Sequence, residues 1–167
     1  MDMNSANYLK KGLKQAAQMD YEGAIQTFDD ALGLDPDLVD IYYNRGLIYS
    51  RLGCQAAAID DFSRALGTVG DRPQTILPQD LQVLAYCYRA QAHHYLNHCE
   101  LALDDCNRAL DLDAYCAQAY QRRGLVRLDL GLQQEALEDL QTAVHTAWLQ
   151  GDSTVQTKTE KLIRAIF

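Results

Sequence analysis

Apolar and small residues recur along the chain with a period of 34 residues. The period defines four blocks, residues 5–38, 39–72, 83–116 and 117–150, with ten residues (73–82) between the second and third blocks. Each block carries an aromatic residue at its fourth place, a small residue at its eighth and alanine at its twentieth and twenty-seventh. The twenty-fourth place is always apolar. Agreement at so many places indicates an internal structural repeat.

Two helical periods fill each block, with a break near the fifteenth place. Gly53, Asn97 and Gly131 stand at this break, and their residue types tolerate the left-handed conformation that ends a helix. In the first block Met19 stands there, and Asp20 follows it as an N-cap for the second helix. One hairpin cannot bury its apolar face alone, whereas a stack of hairpins can. The pattern therefore predicts an all-α stack of helix-turn-helix hairpins.

The pattern resembles the tetratricopeptide repeat (TPR), which has this period, a small eighth residue and alanines at places twenty and twenty-seven. The resemblance implies an all-α, right-handed superhelical solenoid of helix-turn-helix hairpins, with a concave side lined by the first helix of each hairpin. The family's proline at place thirty-two is present only as Pro36, and Gly70, Ala114 and Trp148 replace it later. We therefore expect looser or longer turns after the second, third and fourth blocks.

The segments outside the blocks complete a single predicted TPR domain over residues 1–167. Residues 152–166 predict a C-terminal capping helix with a polar outer face. The alternative for that helix is an amphipathic helix that lies on a membrane. For the insert, residues 73–82, we favour a longer loop anchored by Ile76 and Leu77 over a loop that contacts a partner.

Composition and charge argue against several classes of function. The net charge is −8 and no basic cluster is visible, so no nucleic-acid partner is expected. No apolar run has the length of a signal-peptide core or a membrane span, so we expect a soluble, cytoplasmic protein without a membrane partner. Five cysteines at irregular spacing, without a CxxC motif, favour reduced thiols.

No residue pattern in the sequence points to catalysis or to a cofactor. Nucleophile-elbow, zincin, P-loop and dinucleotide motifs are missing. His94 and His98 have the spacing of two metal ligands on one helix, but Asn97 predicts a helix end between them. Acid pairs on the second helices are interpreted as exposed polar surface; they are Asp29 and Asp30, Asp60 and Asp61, and Asp104 and Asp105. The prediction is a protein without enzymatic activity, cofactor or metal.

The TPR resemblance places six positions of each first helix on the concave side. The residues predicted to form a peptide-binding groove there are Lys10, Tyr43, Asn44, Arg51, Tyr88, Gln91, His94, Tyr95, Gln118 and Arg122. Tyrosine rings together with amide, imidazole and guanidinium groups suit peptide binding. The full concave set holds three basic and two acidic residues in a chain of net charge −8. We therefore expect a protein partner with an acidic or C-terminal peptide segment; the alternative for Tyr43 is packing between neighbouring helices.

One TPR subclass holds the acidic C-terminus of chaperones through a carboxylate clamp. The clamp places fall on Leu9, Leu13, Asn44, Gln118 and Arg122, and only Asn44 and Arg122 match the clamp residues. This binding mode is therefore disfavoured. The favoured function is a protein–protein interaction scaffold or adaptor that binds a partner peptide in its groove. The alternative is a self-assembling module that pairs through terminal hairpins or the capping helix.

Overall fold

Every regular element that the structure shows is an α-helix. A computed structural model of the chain describes residues 5–67 and 77–166. The helices within these residues are α1 (Ser5–Ala17), α2 (Tyr21–Leu34), α3 (Val39–Arg51), α4 (Gln55–Ala65), α5 (Gln79–Tyr95), α6 (Cys99–Leu112), α7 (Ala117–Asp129), α8 (Gln133–Gln150) and α9 (Ser153–Ile166). The predicted all-α repeat solenoid is confirmed. The chain divides into two compact units, Met1–Tyr88 and Arg89–Phe167.

The break inside each hairpin is a left-handed turn. Met19, Gly53, Asn97 and Gly131 have φ values of 62°, 76°, 60° and 77°. Glycine and asparagine adopt this conformation at low cost, whereas a methionine there is strained. After the strained position, the Asp20 side chain accepts a hydrogen bond of 3.0 Å from a backbone N–H in the first turn of α2. The turns therefore lie where the sequence predicts them.

Small residues at the eighth place allow large core side chains to be buried in the first unit. A Cβ atom added to Gly12 would lie 2.2 Å from the Phe28 ring, and one added to Gly46 would lie 3.0 Å from the Phe62 ring. Both phenylalanines are fully buried between the helices of their hairpins. The eighth place is small because the aromatic ring from the second helix occupies the space that a side chain would need.

The second unit uses the same arrangement with smaller core residues. A Cβ atom on Gly124 would lie 2.9 Å from the Leu140 side chain. At the corresponding places of the third hairpin, Ala90 and Cys106 are both buried. Cysteine and leucine replace the phenylalanines here. Each small residue of the first helix still packs against a buried residue of the second helix, although the volumes of the buried side chains differ.

Helix α9 packs against α7 and α8 at the end of the second unit. The Asp152 carboxylate accepts hydrogen bonds from the backbone N–H groups of Thr154 and Val155 at 3.1 and 3.0 Å, so it caps the helix. Val155 joins a buried cluster with Ala117 and Ala147. The helix lies within the segment for which the sequence predicts a C-terminal capping helix. The repeat boundaries and the single-domain organisation remain predictions.

Helix α5 begins earlier than the block pattern predicts. It starts at Gln79, inside the predicted insert of residues 73–82. The Gln82 side chain donates a hydrogen bond of 2.7 Å to the Leu77 carbonyl, which ties the helix start to the preceding residue. Leu77 is buried in the core of the first unit, as expected for an anchor. Ile76, the other predicted anchor, lies outside the described residues.

The turns after the third and fourth blocks differ from the expectation of looser or longer connections. Four residues join α6 to α7, the same number that joins α2 to α3 around Pro36. In these turns Asp35 and Asp113 accept hydrogen bonds from the backbone N–H two residues on, at 3.0 and 2.9 Å. The aspartate holds the turn without proline. After the fourth block, α8 continues to Gln150 and ends at Gly151. The turn after the second block lies outside the described residues.

Candidate functional site

Charge is segregated between helices within each unit. In the first unit, α1 and α3 hold five lysines or arginines and one acid, whereas α2 and α4 hold five acids and one arginine. In the second unit, α7 and α9 hold six basic residues and two acids, whereas α6 and α8 hold seven acids and one arginine. We refer to α1 with α3, and to α7 with α9, as the basic helices of the two units.

Three arginines of first helices are bound to buried aspartates of second helices. In each pair, the arginine Nε and Nη2 atoms donate to the two carboxylate oxygens at 2.6 to 2.9 Å. The pairs are Arg45 with Asp61, Arg89 with Asp105, and Arg123 with Asp139. Hydrogen bonds to Asp139 raise the pKa of Arg123. These arginines hold the two helices of a hairpin together and are not available to a partner.

Two of the paired arginines also reach the preceding hairpin. Arg45 donates to Asp29 on α2, and Arg123 donates to Asn107 on α6 at 2.7 Å. The interpretation of the acid pairs as exposed surface is therefore wrong for Asp61 and Asp105. Successive helical residues point about 100° apart, so in these two pairs the second acid faces the neighbouring helix while the first faces solvent. In the remaining pair both Asp29 and Asp30 are exposed.

An apolar pocket of about 190 Å³ lies between α1, α2 and α3 in the first unit. It is lined by Leu13, Ala16, Ala17, Tyr21, Phe28, Asn44, Leu47, Ile48 and Arg51. Asn44 donates a hydrogen bond of 2.8 Å to the Asp40 carbonyl, which fixes its amide. Arg51 is exposed and has no ion-pair partner among the described residues. The structure thus brings the predicted residues Asn44 and Arg51 to one pocket, whereas Lys10 is exposed on α1 outside its lining.

Tyr43 belongs to the core of the first unit, which removes it from the predicted groove. It is 6% exposed, and its ring meets the Phe62 ring edge-on with centroids 6.2 Å apart. Burial raises the pKa of Tyr43 to about 12. Tyr88 is half-buried and stacks on Phe62 at 6.0 Å. Both tyrosines therefore pack against the buried Phe62 ring.

The remaining predicted residues belong to the second unit, on α5 and α7. Tyr95 is 66% exposed, and its hydroxyl accepts a hydrogen bond of 3.3 Å from Gln91. His94 Nε2 and Asp129 Oδ2 lie 2.6 Å apart, so this contact joins α5 to α7. The two half-buried predicted residues on α7 are Gln118 and Arg122. The second unit therefore places aromatic, imidazole and amide groups along two neighbouring helices.

A cleft of about 300 Å³ lies between α7 and α9. It is lined by Gln121, Leu125, Lys158, Lys161 and Leu162. Gln121 donates to the Thr159 hydroxyl, which in turn donates to the Val155 carbonyl at 2.7 Å. Sequence reasoning missed Lys158 and Lys161 as candidate site residues, because nothing in the sequence shows where the last helix docks. The one feature of the sequence that could have pointed to these two lysines is their position on the basic side of an amphipathic helix.

The histidines around the end of α5 have separate neighbours. His94 contacts Asp129, whereas the His98 ring lies 5.8 Å from the ring of His93. Among the described residues, no group of three or more histidine, cysteine, aspartate or glutamate side chains is arranged to hold a metal ion. Within residues 5–67 and 77–166, no helix combines the length and the apolar character needed to cross a bilayer.

Antiparallel helix pairs with a small residue at the eighth place, alanines at two fixed places and left-handed internal turns define a helical-hairpin repeat protein. A TPR-repeat profile matches residues 14–53, and a tetratricopeptide-repeat profile matches residues 39–68. The chain belongs to the tetratricopeptide-repeat family, and its fold is that of a protein–protein interaction scaffold.

Two known relatives share the name DnaJ homolog subfamily C member 7 homolog. The protein from Schizosaccharomyces pombe is 31% identical over 126 residues, which is 73% of this chain and 24% of that protein. The protein from Dictyostelium discoideum is 26% identical over 155 residues, which is 85% of this chain and 28% of that protein. The chain therefore spans about a quarter of the length of these relatives.

Solved TPR structures share the fold at low sequence identity. MamA from Desulfovibrio magneticus RS-1 has a TM-score of 0.75 and 19% identity, covering 88% of this chain and 77% of that one. YrrB has a TM-score of 0.68 and 20% identity, covering 93% of this chain and 82% of that one. A chain of the APC/C hetero-tetramer Cut9–Hcn1 has a TM-score of 0.79 and 17% identity, covering 98% of this chain and 30% of that one. At these identities the likeness establishes the fold.

Proposed function

We propose that this TPR protein is a scaffold that binds an acidic segment of a partner protein through its basic helices. The observation that carries the proposal is the charge segregation, with five basic residues to one acid on α1 and α3 and the reverse on α2 and α4. An acidic segment is attracted to one side of the hairpins and repelled by the other. Complementarity of this kind selects partners and accelerates encounter.

The segregation persists when the internal ion pairs are set aside. Of the basic residues on α1 and α3, only Arg45 is bound to aspartates of second helices. The cations that remain there are Lys10, Lys11, Lys14 and Arg51. The single acid on these two helices is Asp40. The first unit therefore keeps an excess of positive charge on its basic helices.

The pocket of the first unit supplies a place for an apolar side chain of the partner. Its volume of about 190 Å³ is comparable with cavities that accept a benzene-sized group. At the rim, the Arg51 guanidinium can hold a carboxylate with two parallel hydrogen bonds. The Asn44 amide, fixed by its bond to the Asp40 carbonyl, can hold the peptide backbone. The site thus suits a segment with one large apolar side chain next to a carboxylate.

In the second unit, the proposed contacts are Gln91, His94, Tyr95, Gln118 and Arg122. The exposed Tyr95 ring offers flat apolar area, which costs little side-chain entropy to order. YrrB, which shares the fold, is described as a TPR protein with an unusual peptide-binding site. That description supports a peptide as the kind of ligand, while the residues that would bind it here are proposed from this chain's own charges and pockets.

Fluorescence anisotropy with a short fluorescein-labelled peptide, a central leucine flanked by glutamates and aspartates, tests the proposal. We expect saturable binding to the parent protein. Arg51→Ala should weaken it by about tenfold, because it removes the group that grips a carboxylate. Arg64→Ala is the matched control, since Arg64 is an exposed arginine on α4 that pairs with Asp60 at 3.1 Å. Equal affinity in both variants, or equal weakening, contradicts the proposed site.

Self-assembly is a second candidate, favoured by large apolar side chains exposed near the C-terminal end. Trp148 and Leu149 at the end of α8 are 63% and 57% exposed, and Ile166 at the end of α9 is 45% exposed. Size-exclusion chromatography with light scattering distinguishes the candidates. Self-assembly predicts a dimer that dissociates in Trp148→Ser or Ile166→Ser, and a parent protein that is monomeric at every concentration contradicts it.

A further inference from the structure

We infer that the cleft between α7 and α9 is a second docking site, for an acidic segment that carries a leucine-sized side chain. The inference rests on the proposed function, because it extends the same class of ligand to a surface that the last helix helps to form. It gives α9 a role in recognition in addition to covering the last hairpin.

The cleft combines apolar walls with a basic rim. Leu125 of α7 and Leu162 of α9 contribute the apolar walls, and both are half-buried. Lys158 and Lys161 are exposed and three residues apart, a spacing that places them on the same side of α9. A side chain that enters between the leucines therefore brings its neighbouring residues close to two ammonium groups.

Among the described residues, no acid lines this cleft, and the acids of α7 and α9 make contacts elsewhere. Asp129 of α7 lies 2.6 Å from His94. Glu160 of α9 accepts a hydrogen bond of 2.9 Å from Gln156. Lys158 and Lys161 have no ion-pair partner within the described part of the chain. The cleft therefore keeps its positive charge, and a carboxylate is its complementary group.

The cleft is held in shape before a partner arrives. Thr159 is fully buried and Gln121 is 8% exposed, and the hydrogen bond between them joins α9 to α7 beside the cleft. A preformed cleft spares the partner the cost of ordering the receptor. The buried side of α9, which includes Val155 and Thr159, faces the protein, so the helix cannot lay that side into a bilayer. A peptide segment with a projecting side chain is the occupant that fits.

Charge-reversing variants on α9 test the inference with the same acidic leucine peptide. Lys158→Glu with Lys161→Glu should weaken binding at least fivefold, about 1 kcal/mol. Arg108→Glu is the matched control, because Arg108 is exposed on α6, outside the basic helices, and does not line the cleft; it should change affinity less than about twofold. A peptide with serine in place of the leucine should also bind more weakly. Circular dichroism checks that each variant keeps its helices, and if the glutamate pair unfolds, the corresponding glutamine pair replaces it.

The outcomes separate this inference from the proposed function. Loss of affinity in Arg51→Ala alone supports the first-unit pocket and overturns the inference about α9. Loss in the Lys158 and Lys161 variant alone supports the cleft and overturns the first-unit site. Equal loss in the Arg108 control, or no saturable binding by the parent, overturns the cleft. Two other results also overturn the inference. In them, the lysine variants weaken binding to phosphatidylserine vesicles, or weaken self-association of the chain, but do not change binding to the peptide.

Discussion

Asp60 and Asp61 are adjacent on α4, yet the structure gives them opposite roles. The Asp61 side chain is 2% exposed and accepts two hydrogen bonds from Arg45. The Asp60 side chain is 57% exposed and pairs with Arg64 on the surface. Replacing Asp61 with alanine leaves the half-buried Arg45 guanidinium with Asp29 as its remaining carboxylate. The two neighbouring substitutions should therefore have very different effects on stability.

The difference can be estimated from the burial of each pair. Removing one partner of a buried ion pair costs about 3–5 kcal/mol, because the other charge stays desolvated. Since Arg45 keeps its bond to Asp29, we expect the lower end of this range for Asp61→Ala. Asp60→Ala removes a surface pair and should cost less than about 1 kcal/mol. For a chain of this length, about 3 kcal/mol corresponds to a fall in Tm of about 6–12 °C.

Urea unfolding followed by circular dichroism measures both variants under the same conditions. A third variant, Arg45→Met with Asp61→Leu, removes both charges and should regain much of the stability that Asp61→Ala loses. Recovery identifies the uncompensated charge as the cause of the loss. Equal unfolding midpoints for Asp60→Ala and Asp61→Ala would refute the assignment of Asp61 to a buried pair.

Two further predictions concern packing and thiol chemistry. Gly12→Ala should destabilise the protein by about 1–3 kcal/mol because its Cβ would meet the Phe28 ring. Gly33→Ala, with open space around it, should stabilise α2 by about 0.5–1 kcal/mol. Thermal melts compare the two variants, and shifts in Tm of the same sign contradict the packing. Iodoacetamide should label the exposed Cys54 in the native protein but Cys106 only after unfolding, because burial raises the pKa of Cys106 to about 12; labelling of both at one rate, measured by peptide mass spectrometry, contradicts that burial.

The backbone and the core could be predicted from the sequence because every hairpin packs a small residue of its first helix against a buried apolar residue of its second helix. Every block carries a small residue at the place of Gly12, and three of the four blocks carry glycine or asparagine at the left-handed position. Even so, the absence of proline after the third block misled the turn prediction. Asp113 holds that turn through a side-chain hydrogen bond, and an aspartate is a weaker sequence signal than a proline.

The buried ion pairs and the candidate site were harder to predict. An arginine at the seventh place and an aspartate at the twenty-third recur in three blocks, but helical periodicity alone does not show that Asp61 and Asp105 face a neighbouring helix. Tyr43 stands at a position that lies in the groove by family resemblance, yet packing around Phe62 buries it. The cleft beside Lys158 depends on how α9 docks, which only tertiary structure reveals.

The central claim is that an acidic segment binds the basic helices. Hydrogen–deuterium exchange of the full chain, with and without the acidic leucine peptide, tests it most directly. We predict slower exchange in α1 and α3 of the first unit and in α7, α9 and the second-unit part of α5, with no change in α4, α6 and α8. Protection confined to those second helices, or no protection at saturating peptide, would contradict the account.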